Sequence, residues 1–332
     1  MTEWSTRSLR PVVGDLRQLA SVRRIVFDDG AERGVRALAF STGAGLDFSV
    51  LADRSMDIGL LSWQGIPLGW QSPAGFVAPT LLDPDSEDGR GFNRGFSGFL
   101  VTCGLNHIRL AENGEPQHGR LPFSPAAIKG YGESWQTAPF LYCEGEITQA
   151  RYGGEALRLH RRIEAPIGGS AILIRDTVEN VGTEDTKQPM LYHFNLGYPA
   201  IATGSTVELD GQHLIGPIKL ADAENGLITA RTWPVSGLTA TCVVRSPGGL
   251  SVRFEFDTGA LSHLQLWHDL RPGVGVLSIE PCTSERPADG PSAAEAVLKP
   301  GEQRTYRILV SIEGNAAATL PQEHPGELKW PL

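Results

Sequence analysis

Hydrophobic and polar residues alternate along most of this chain with a period of two rather than 3.6. Between residues 157 and 163, leucines and an isoleucine alternate with arginine and histidine, and the alternation resumes over residues 172–178. This predicts two half-buried β-strands, and the intervening turn with Gly168 and Gly169 predicts a hairpin. The same pattern predicts strands at residues 45–50, 251–256, 264–267, 274–279 and 305–312.

Helical patterns are short and weak. Residues 12–20 and 292–298 are the best candidates, and neither carries a convincing apolar stripe with caps. The 39 glycines and 23 prolines spread turn signals along the chain. Many strands with frequent turns predict stacked sheets or a barrel. We expect one all-β domain over residues 1–332, with its core at about 30–313 and an irregular tail at 314–332. Its sheets should stack face to face around an open groove.

Charge and cysteine usage narrow the class of protein. The 29 Lys and Arg residues against 38 Asp and Glu give a formal charge of -9, which argues against partners such as nucleic acid or an anionic membrane surface. No apolar run approaches the length of a transmembrane helix, and residues 1–17 lack the apolar core of a signal peptide. The four cysteines are widely spread without Cys-x-x-Cys spacing, so we expect reduced thiols and a cytoplasmic protein.

Three short segments each place one titratable side chain in a run that otherwise predicts buried strand or tight turn. The side chains are His118, His193 and Glu280. Taken singly, each is more often a hydrogen-bonded structural residue. Together in one pocket they would form an acid/base pair with an auxiliary donor, which suits proton transfer on a neutral, polyhydroxylated substrate.

Other motif classes are missing from the sequence. It has no phosphate loop, no dinucleotide-binding glycine motif and no Gly-x-Ser-x-Gly elbow. A zinc site built from the same two histidines and the glutamate would lack the usual closely spaced ligand pair. The acidic segment 82–90 has no recognisable calcium-ligand register, and a solvated loop explains it better. We therefore expect neither a metal nor a cofactor.

Five places, in a fixed order, carry a resemblance to a known family. They are Asp53-Arg54 within residues 52–59, Asn93-Arg94, His118-Gly119, His193-Phe194-Asn195-Leu196 and Glu280-Pro281. With them the chain resembles a divergent member of the aldose 1-epimerase (galactose mutarotase-like) family, over about residues 30–313. The resemblance implies an antiparallel β-supersandwich that holds a sugar on its concave face.

The resemblance also implies roles for residues. Glu280 would be the general base that takes the anomeric hydroxyl proton, and His193 the general acid that protonates the ring oxygen. The ring would open to an aldehyde and close again as the other anomer. His118 would bind near the ring oxygen as a donor. Arg54 and Arg94 would hold hydroxyls, or an anionic group; for Arg54 a salt bridge with Asp53 or Asp57 is nearly as good an interpretation.

The sequence departs from the family in two places that would contact substrate. Well-studied mutarotases have an aspartate near residues 244–249, where this chain has Arg245. Residues 265–269 also differ, and we expect Trp267 or His268 in this segment to line the pocket, with Trp267 able to stack on a sugar face. Substrate contacts have therefore been rebuilt, which favours an unusual sugar or sugar derivative.

Two other classes stay open at this point. A non-catalytic carbohydrate-binding protein could use the same scaffold, although it would have little use for a matched acid and base. A different sugar epimerase, isomerase or lyase could use it too, with Tyr192 or Tyr198 as the base of a lyase. In every case the partner is a small-molecule sugar, and a homodimer is a possible assembly.

Overall fold

The computed structural model describes residues 6–286 and 296–314, and these are almost entirely antiparallel β-structure, as predicted. The strands in chain order are β1 (Ser21–Val26), β2 (Arg36–Ser41), β3 (Leu46–Leu51), β4 (Asp57–Trp63), β5 (Ile66–Pro67), β6 (Leu100–Gly104), β7 (Ala127–Ser134), β8 (Phe140–Ala150), β9 (Ala156–Pro166), β10 (Ala171–Asn180) and β11 (Thr186–Lys187). They continue with β12 (Met190–Leu196), β13 (Thr206–Leu209), β14 (Gln212–Ile215), β15 (Leu227–Pro234), β16 (Thr239–Arg245), β17 (Ser251–Asp257), β18 (His263–Asp269), β19 (Val276–Cys282), β20 (Val297–Leu298) and β21 (Gln303–Glu313). Each segment with a predicted period of two overlaps one of these strands.

The strands form three larger sheets and one small one. The first sheet has the order β1-β2-β3-β4-β5, and the longest has nine strands in the order β14-β13-β16-β17-β21-β10-β9-β8-β7. A five-stranded sheet has the order β15-β18-β19-β12-β6, and β11 pairs with β20. The predicted hairpin is β9–β10, where Ile174 lies opposite Ile163. Every pairing between described strands is antiparallel.

The main core lies between the nine-stranded sheet and the sheet that contains β12. Phe194 of β12 packs against Phe254 of β17 with ring centroids 5.1 Å apart, and both side chains are fully buried. Alternation along β12 sends Tyr192 and Phe194 to this core and His193 and Asn195 to the other face. Burial of each phenylalanine contributes roughly 1.5–3 kcal/mol, so this packing fixes which face of β12 is left for a site.

A buried ionic cluster lies on the core side of β12. Arg161 is fully buried and donates two hydrogen bonds to Asp176, at 2.9 and 2.6 Å, while its Nη1 lies 3.2 Å from Asp57. The Tyr192 hydroxyl donates to Asp176 at 2.7 Å. Burial raises the pKa of Asp57 to about 6 even though Arg161 opposes the shift. Removal of one partner from such a buried ion pair lowers the free energy of unfolding, because it leaves the other charge buried without a partner.

Helices are few and short among the described residues. They are α1 (Thr6–Leu9), α2 (Ser86–Gly89) and the 3₁₀ helices Leu16–Gln18, Gly30–Glu32, Pro79–Leu81, Gly91–Arg94 and Leu121–Phe123. The expectation of a helix over residues 12–20 is wrong except for one 3₁₀ turn, which Asp15 caps by accepting a hydrogen bond from the Arg17 amide at 2.9 Å.

The second helix candidate and the predicted tail fall partly outside the described residues. Within residues 292–298, only 296–298 are described, and Val297–Leu298 is strand β20 rather than helix. The tail at 315–332 lies outside the described part of the chain. Within the described ranges, no helix has the length and apolar character needed to cross a membrane.

Candidate functional site

One row of side chains crosses three adjacent strands on the face of the sheet that lies away from the main core. The pairings of Phe194 with Ile279 and of Leu191 with Cys282 place His193 of β12 opposite Glu280 of β19. Glu280 in turn lies opposite Gln265 of β18. Directly opposite residues in antiparallel strands have Cβ atoms about 4.5–5.5 Å apart, so register alone brings the predicted acid and base together.

A ring nitrogen of His193 faces a carboxylate oxygen of Glu280. His193 Nε2 lies 3.4 Å from Glu280 Oε1. His193 Nδ1 lies 2.5 Å from Asn195 Oδ1, which also accepts from Ser278 Oγ at 2.8 Å, while Asn195 Nδ2 donates to Gly98 O at 3.0 Å. Because Asn195 presents an acceptor, Nδ1 carries a proton and donates it. Nε2 is then the ring nitrogen that faces Glu280 Oε1.

Glu280 is held at its other oxygen by a chain of two residues. Gln265 Nε2 donates to Glu280 Oε2, and Gln265 Oε1 accepts from Arg109 Nη1 at 2.9 Å. Arg109 is anchored by a second bond from Nη2 to the Ser284 carbonyl at 2.5 Å. Since an arginine can only donate, it fixes the orientation of the Gln265 amide. Glu280 Oε1 is fully buried and accepts no hydrogen bond from the described residues, so it is left for another partner.

His118 reaches the same place from a tight turn. Its φ of 63° lies in the left-handed region, and Gly119 follows at φ 72°. A Cβ at residue 119 would collide with the carbonyl oxygens of Gly104 and His107, so the turn requires glycine. His118 N donates to Arg109 O at 2.9 Å, and its imidazole stands at 89° to that of His193 with centroids 5.5 Å apart.

The hydrogen bonds of His118 define what it can offer a ligand. Its Nδ1 donates to the Ile108 carbonyl at 3.2 Å. Burial, and next the neighbouring His193, hold the pKa of His118 well below its usual range. A neutral imidazole that donates from Nδ1 presents Nε2 as an acceptor. His118 therefore suits acceptance of a bond from a hydroxyl, and the donor role expected from the sequence does not fit this geometry.

These side chains line one cleft of about 500 Å³. Its wall combines polar and aromatic side chains: Phe92, Asn93, Phe96, Gln117, His118, His193, Gln265, Trp267, Glu280 and Arg286. Trp267 and Phe96 stand against His193, with centroids 6.1 and 5.0 Å from the imidazole. An apolar cleft with a few convergent polar groups is the usual form of a small-molecule site, and Trp267 offers a face for stacking.

The structure brings together His118, His193, Glu280 and Trp267, but three other predicted site residues lie elsewhere. Arg94 is exposed and its Nε donates to Glu87 at 2.6 Å. His268 faces the opposite side of β18 from Trp267, and its Nδ1 donates to Gly226 O at 2.8 Å. Neither Arg94 nor His268 lines the cleft.

Arg54 is also absent from the cleft wall. It is buried, and its Nη2 donates to the Gly95 carbonyl at 2.6 Å, next to the loop that carries Phe96. The expected alternative, a salt bridge with a neighbouring aspartate, is not formed either, because Asp53 binds Arg36 and Asp57 binds Arg161. Arg54 therefore supports the loop beneath the cleft.

Neither tyrosine offered as the base of a lyase reaches the cleft. Tyr192 is fully buried on the core side of β12, and burial, then the Asp176 carboxylate, raises its pKa well above the usual range. Tyr198 is half exposed and lies outside the cleft wall.

Three polar residues of the site were missed in the sequence. Gln265 lies two positions before Trp267 in the same strand, so the two side chains share one face. The alternation of the strand could therefore have predicted Gln265 as a site residue. Arg109 meets Gln265 across 156 residues of sequence, and no local pattern announces such a contact. Arg286 lies four positions beyond Cys282, the last residue of β19, and its backbone N–H donates to Thr232 Oγ1 at 3.1 Å.

Metal ligands and reactive thiols do not cluster at this site. Within residues 6–286 and 296–314, no group of three or more His, Cys, Asp or Glu side chains could hold a metal ion. The four cysteines are free and buried, and burial raises the pKa of Cys282, which ends the strand that carries Glu280, to about 11.

Solved structures of other proteins share this fold. A candidate aldose 1-epimerase from Klebsiella pneumoniae has a TM-score of 0.77 at 18% identity, covering 90% of this chain and 84% of that one. A galactose mutarotase-like protein from Clostridium acetobutylicum has a TM-score of 0.62 at 13% identity, covering 89% and 98%. Galactose 1-epimerase from Lactobacillus acidophilus has a TM-score of 0.51 at 11% identity, covering 88% and 98%.

These likenesses confirm the predicted fold, the antiparallel β-supersandwich of galactose mutarotase-like proteins. Comparison with curated proteins gives no significant match. Residues 32–312 match a family described as "Domain of unknown function (DUF4432)". The match covers most of the chain, and the chain belongs to this family.

Proposed function

We propose that this protein is an isomerase that interconverts the α and β anomers of a sugar or sugar derivative by acid/base ring opening. The observation that carries the proposal is the pair His193 and Glu280, whose Nε2 and Oε1 atoms lie 3.4 Å apart in the wall of a sugar-sized cleft. The two reacting oxygens of a cyclic hemiacetal are bonded to one carbon, so neighbouring acid and base groups can address both at once.

The pair supports a proton shuttle with no net gain or loss of protons. Glu280 Oε1, as carboxylate, takes the proton of the anomeric hydroxyl while His193 Nε2 gives its proton to the ring oxygen. The bond between the anomeric carbon and the ring oxygen breaks and the open-chain carbonyl forms. After rotation, the hydroxyl attacks the other carbonyl face and both protons return. A positioned acid or base contributes about 10²–10⁴-fold, and no redox step requires a cofactor.

Gln265 and Arg109 prepare Glu280 for this role. The Gln265 amide satisfies Oε2 of the carboxylate, so Oε1 is the oxygen left for the substrate proton. Arg109 prevents the amide from turning over, because its guanidinium cannot accept a hydrogen bond. Such preorganisation removes the need to reorient the base during the reaction.

The remaining wall supplies binding. His118 Nε2 accepts a hydrogen bond from a sugar hydroxyl, and the amides of Asn93 and Gln117 bind further hydroxyls. Trp267 stacks on the less polar face of the ring. The chain shares its fold with galactose mutarotase-like proteins, and this supports the assignment by analogy of fold alone. Because the four cysteines are free, we also expect a reducing compartment, the cytoplasm.

Anomer-resolved NMR on a panel of sugars tests the proposal. Exchange between α and β signals should be faster with wild-type protein than in buffer, for at least one sugar that the protein binds. A sugar that binds while its anomers exchange at the buffer rate would contradict the mutarotase and support a carbohydrate-binding protein. New signals from an unsaturated or rearranged product would instead identify a lyase or another isomerase.

A further inference from the structure

We propose that the sugar accepted by this cleft carries an anionic group, a carboxylate or a phosphate, and that Arg286 binds it. The inference rests on the proposed function, since it names the substrate class of the same site. Two observations support the inference: the position of Arg286 in the cleft wall and the charges of the residues around it.

Arg286 is held in the cleft wall beside the catalytic row. Its backbone N–H donates to Thr232 Oγ1 at 3.1 Å, and Thr232 lies opposite Gln265 in the sheet. Gln265 lies opposite Glu280, so Arg286 enters from the side of Glu280 that is remote from His193. The side chain of Arg286 is partly buried and lines the cleft. Its guanidinium can therefore contact a ligand without displacing the acid or the base.

The cleft carries an excess of positive charge. Glu280 is the one carboxylate among the described residues that line the cleft, and burial and His193 hold the pKa of His118 well below its usual range. Arg109 donates from Nη1 to Gln265 and from Nη2 to Ser284, and its buried Nε has no partner among the described residues. Arg286 in the cleft wall and Arg109 behind Gln265 are thus two guanidinium groups beside one carboxylate, and this excess of positive charge favours an anion there.

No carboxylate of the protein neutralises Arg286 within the described ranges. None of the ion pairs formed by residues 6–286 and 296–314 includes it. Arg120 and Arg94, by contrast, are paired, Arg120 with Asp85 and Glu115 and Arg94 with Glu87. Burial, then repulsion from Arg109, lower the pKa of Arg286 despite the attraction of Glu280. A guanidinium in this setting is stabilised by a ligand anion.

Guanidinium chemistry indicates which anions fit. The planar fork of donors matches two oxygens of a carboxylate or phosphate and forms charge-assisted hydrogen bonds. The other cleft residues suit the remainder of the ligand, since Asn93 and Gln117 pair with hydroxyls and Trp267 stacks on a ring. The two anions differ in charge and shape, and the test separates them.

The experiment compares matched sugars on matched variants. Galactose, galacturonate and galactose 6-phosphate, and the corresponding glucose series, are tested by anomer-exchange NMR and by calorimetric binding. The proteins are wild type, Arg286→Met and the control Arg245→Met. The substrate contact expected near Arg245 is wrong, because Arg245 is an exposed arginine of β16 that pairs with Glu208 on the nine-stranded sheet and does not line the cleft. Methionine keeps an unbranched chain and removes the charge.

For at least one series, wild type should bind the anionic sugar more tightly than the neutral one, and Arg286→Met should weaken that binding about 10- to 100-fold. Binding of the neutral sugar should change less than about threefold in this variant, and Arg245→Met should behave as wild type. The preferred anion shows whether a carboxylate or a phosphate is recognised.

The outcomes separate this inference from the proposed function. Three results would overturn the anion site. Wild type could bind every anionic sugar no more tightly than its neutral counterpart, Arg286→Met could weaken binding of both sugars equally, or no sugar could bind at all. If anionic sugars bind through Arg286 but their anomers exchange at the buffer rate, the anion site stands and the mutarotase activity is rejected. If the protein accelerates anomer exchange of neutral sugars only, the mutarotase activity stands and the anion site is rejected.

Discussion

His193 and Glu280 face each other across neighbouring antiparallel strands, with Nε2 and Oε1 3.4 Å apart. Their relation depends on register, because a slip of one residue would turn one of them toward the core. The register is fixed on the other face by Phe194, which packs against Phe254 at 5.1 Å. The hydrophobic core therefore positions both side chains.

The Gln265 amide should matter for catalysis more than for the fold. Gln265→Met removes the donor to Glu280 Oε2 and leaves Arg109 without its acceptor. We expect kcat to fall about 100-fold, a loss at the low end of what one positioned acid or base contributes, with little change in KM. Stability should fall by about 1–3 kcal/mol because a buried donor is left unsatisfied. Kinetics and urea unfolding measure the two effects.

Gln188→Met is the matched control for that loss of stability. Gln188 is fully buried, and its Oε1 accepts from the Tyr306 hydroxyl at 2.5 Å, away from the cleft. The control should lose comparable stability and retain wild-type kcat. A Gln265→Met protein with normal kcat would show that Glu280 needs no support from the amide.

Trp267 and Arg94 should differ in their effect on sugar binding. Trp267→Ala removes an aromatic face from the cleft and should raise KM about tenfold, since aromatic contacts contribute about 0.5–1.5 kcal/mol beyond their buried area. Arg94→Ala should change kcat/KM less than twofold, because Arg94 is exposed and paired with Glu87. A tenfold loss in Arg94→Ala would restore the role expected from the sequence.

His118 should bind substrate as an acceptor. His118→Asn keeps an acceptor oxygen, whereas His118→Phe keeps a ring and removes the acceptor. We expect KM to rise a few-fold in the first variant and more than about tenfold in the second, with kcat reduced less than KM is raised. Because the pKa of His118 lies well below its usual range, lowering the pH from 8 to 6 should not convert it to a donor. If Phe were tolerated better than Asn, the acceptor role would be wrong.

Asp57 should make stability depend on pH. Its folded pKa is raised from 3.8 to about 6, so its contribution is fully present below pH 3.8 and is lost as the pH rises through 6. Asp57→Asn does not titrate. The stability of wild type relative to Asp57→Asn should therefore fall by about 2 kcal/mol between pH 4.5 and pH 7.

Urea unfolding at the two pH values measures this difference, and contributions from other groups cancel between the proteins. Asp257→Asn, an exposed carboxylate 3.8 Å from Arg307, serves as the control for removal of a charge. A relative stability of Asp57→Asn that is constant with pH, or that changes with the opposite sign, would contradict the assignment.

The alternation of polar and apolar residues was sufficient to predict strands such as β9 and β10, because half-buried strands expose every second residue. The same rule could have separated Trp267 from His268, which are neighbours in one strand and therefore face opposite sides. Arg94 could not be placed in this way, since a 3₁₀ turn at Gly91–Arg94 sets its direction. The place of Arg109 in the site could not be predicted either, because it follows from a contact with Gln265, which is distant in sequence.

The central claim is that the His193–Glu280 pair exchanges anomers, and Glu280→Gln tests it most directly. Glutamine keeps the shape of the side chain and an acceptor oxygen but cannot take the hydroxyl proton. The measurement is anomeric exchange by NMR for wild type and Glu280→Gln, with calorimetric binding of the same sugar. Wild type should accelerate exchange, and the variant should bind the sugar and exchange it at a rate at least about 100-fold lower. A Glu280→Gln protein that binds and exchanges the sugar as wild type does would contradict the claim.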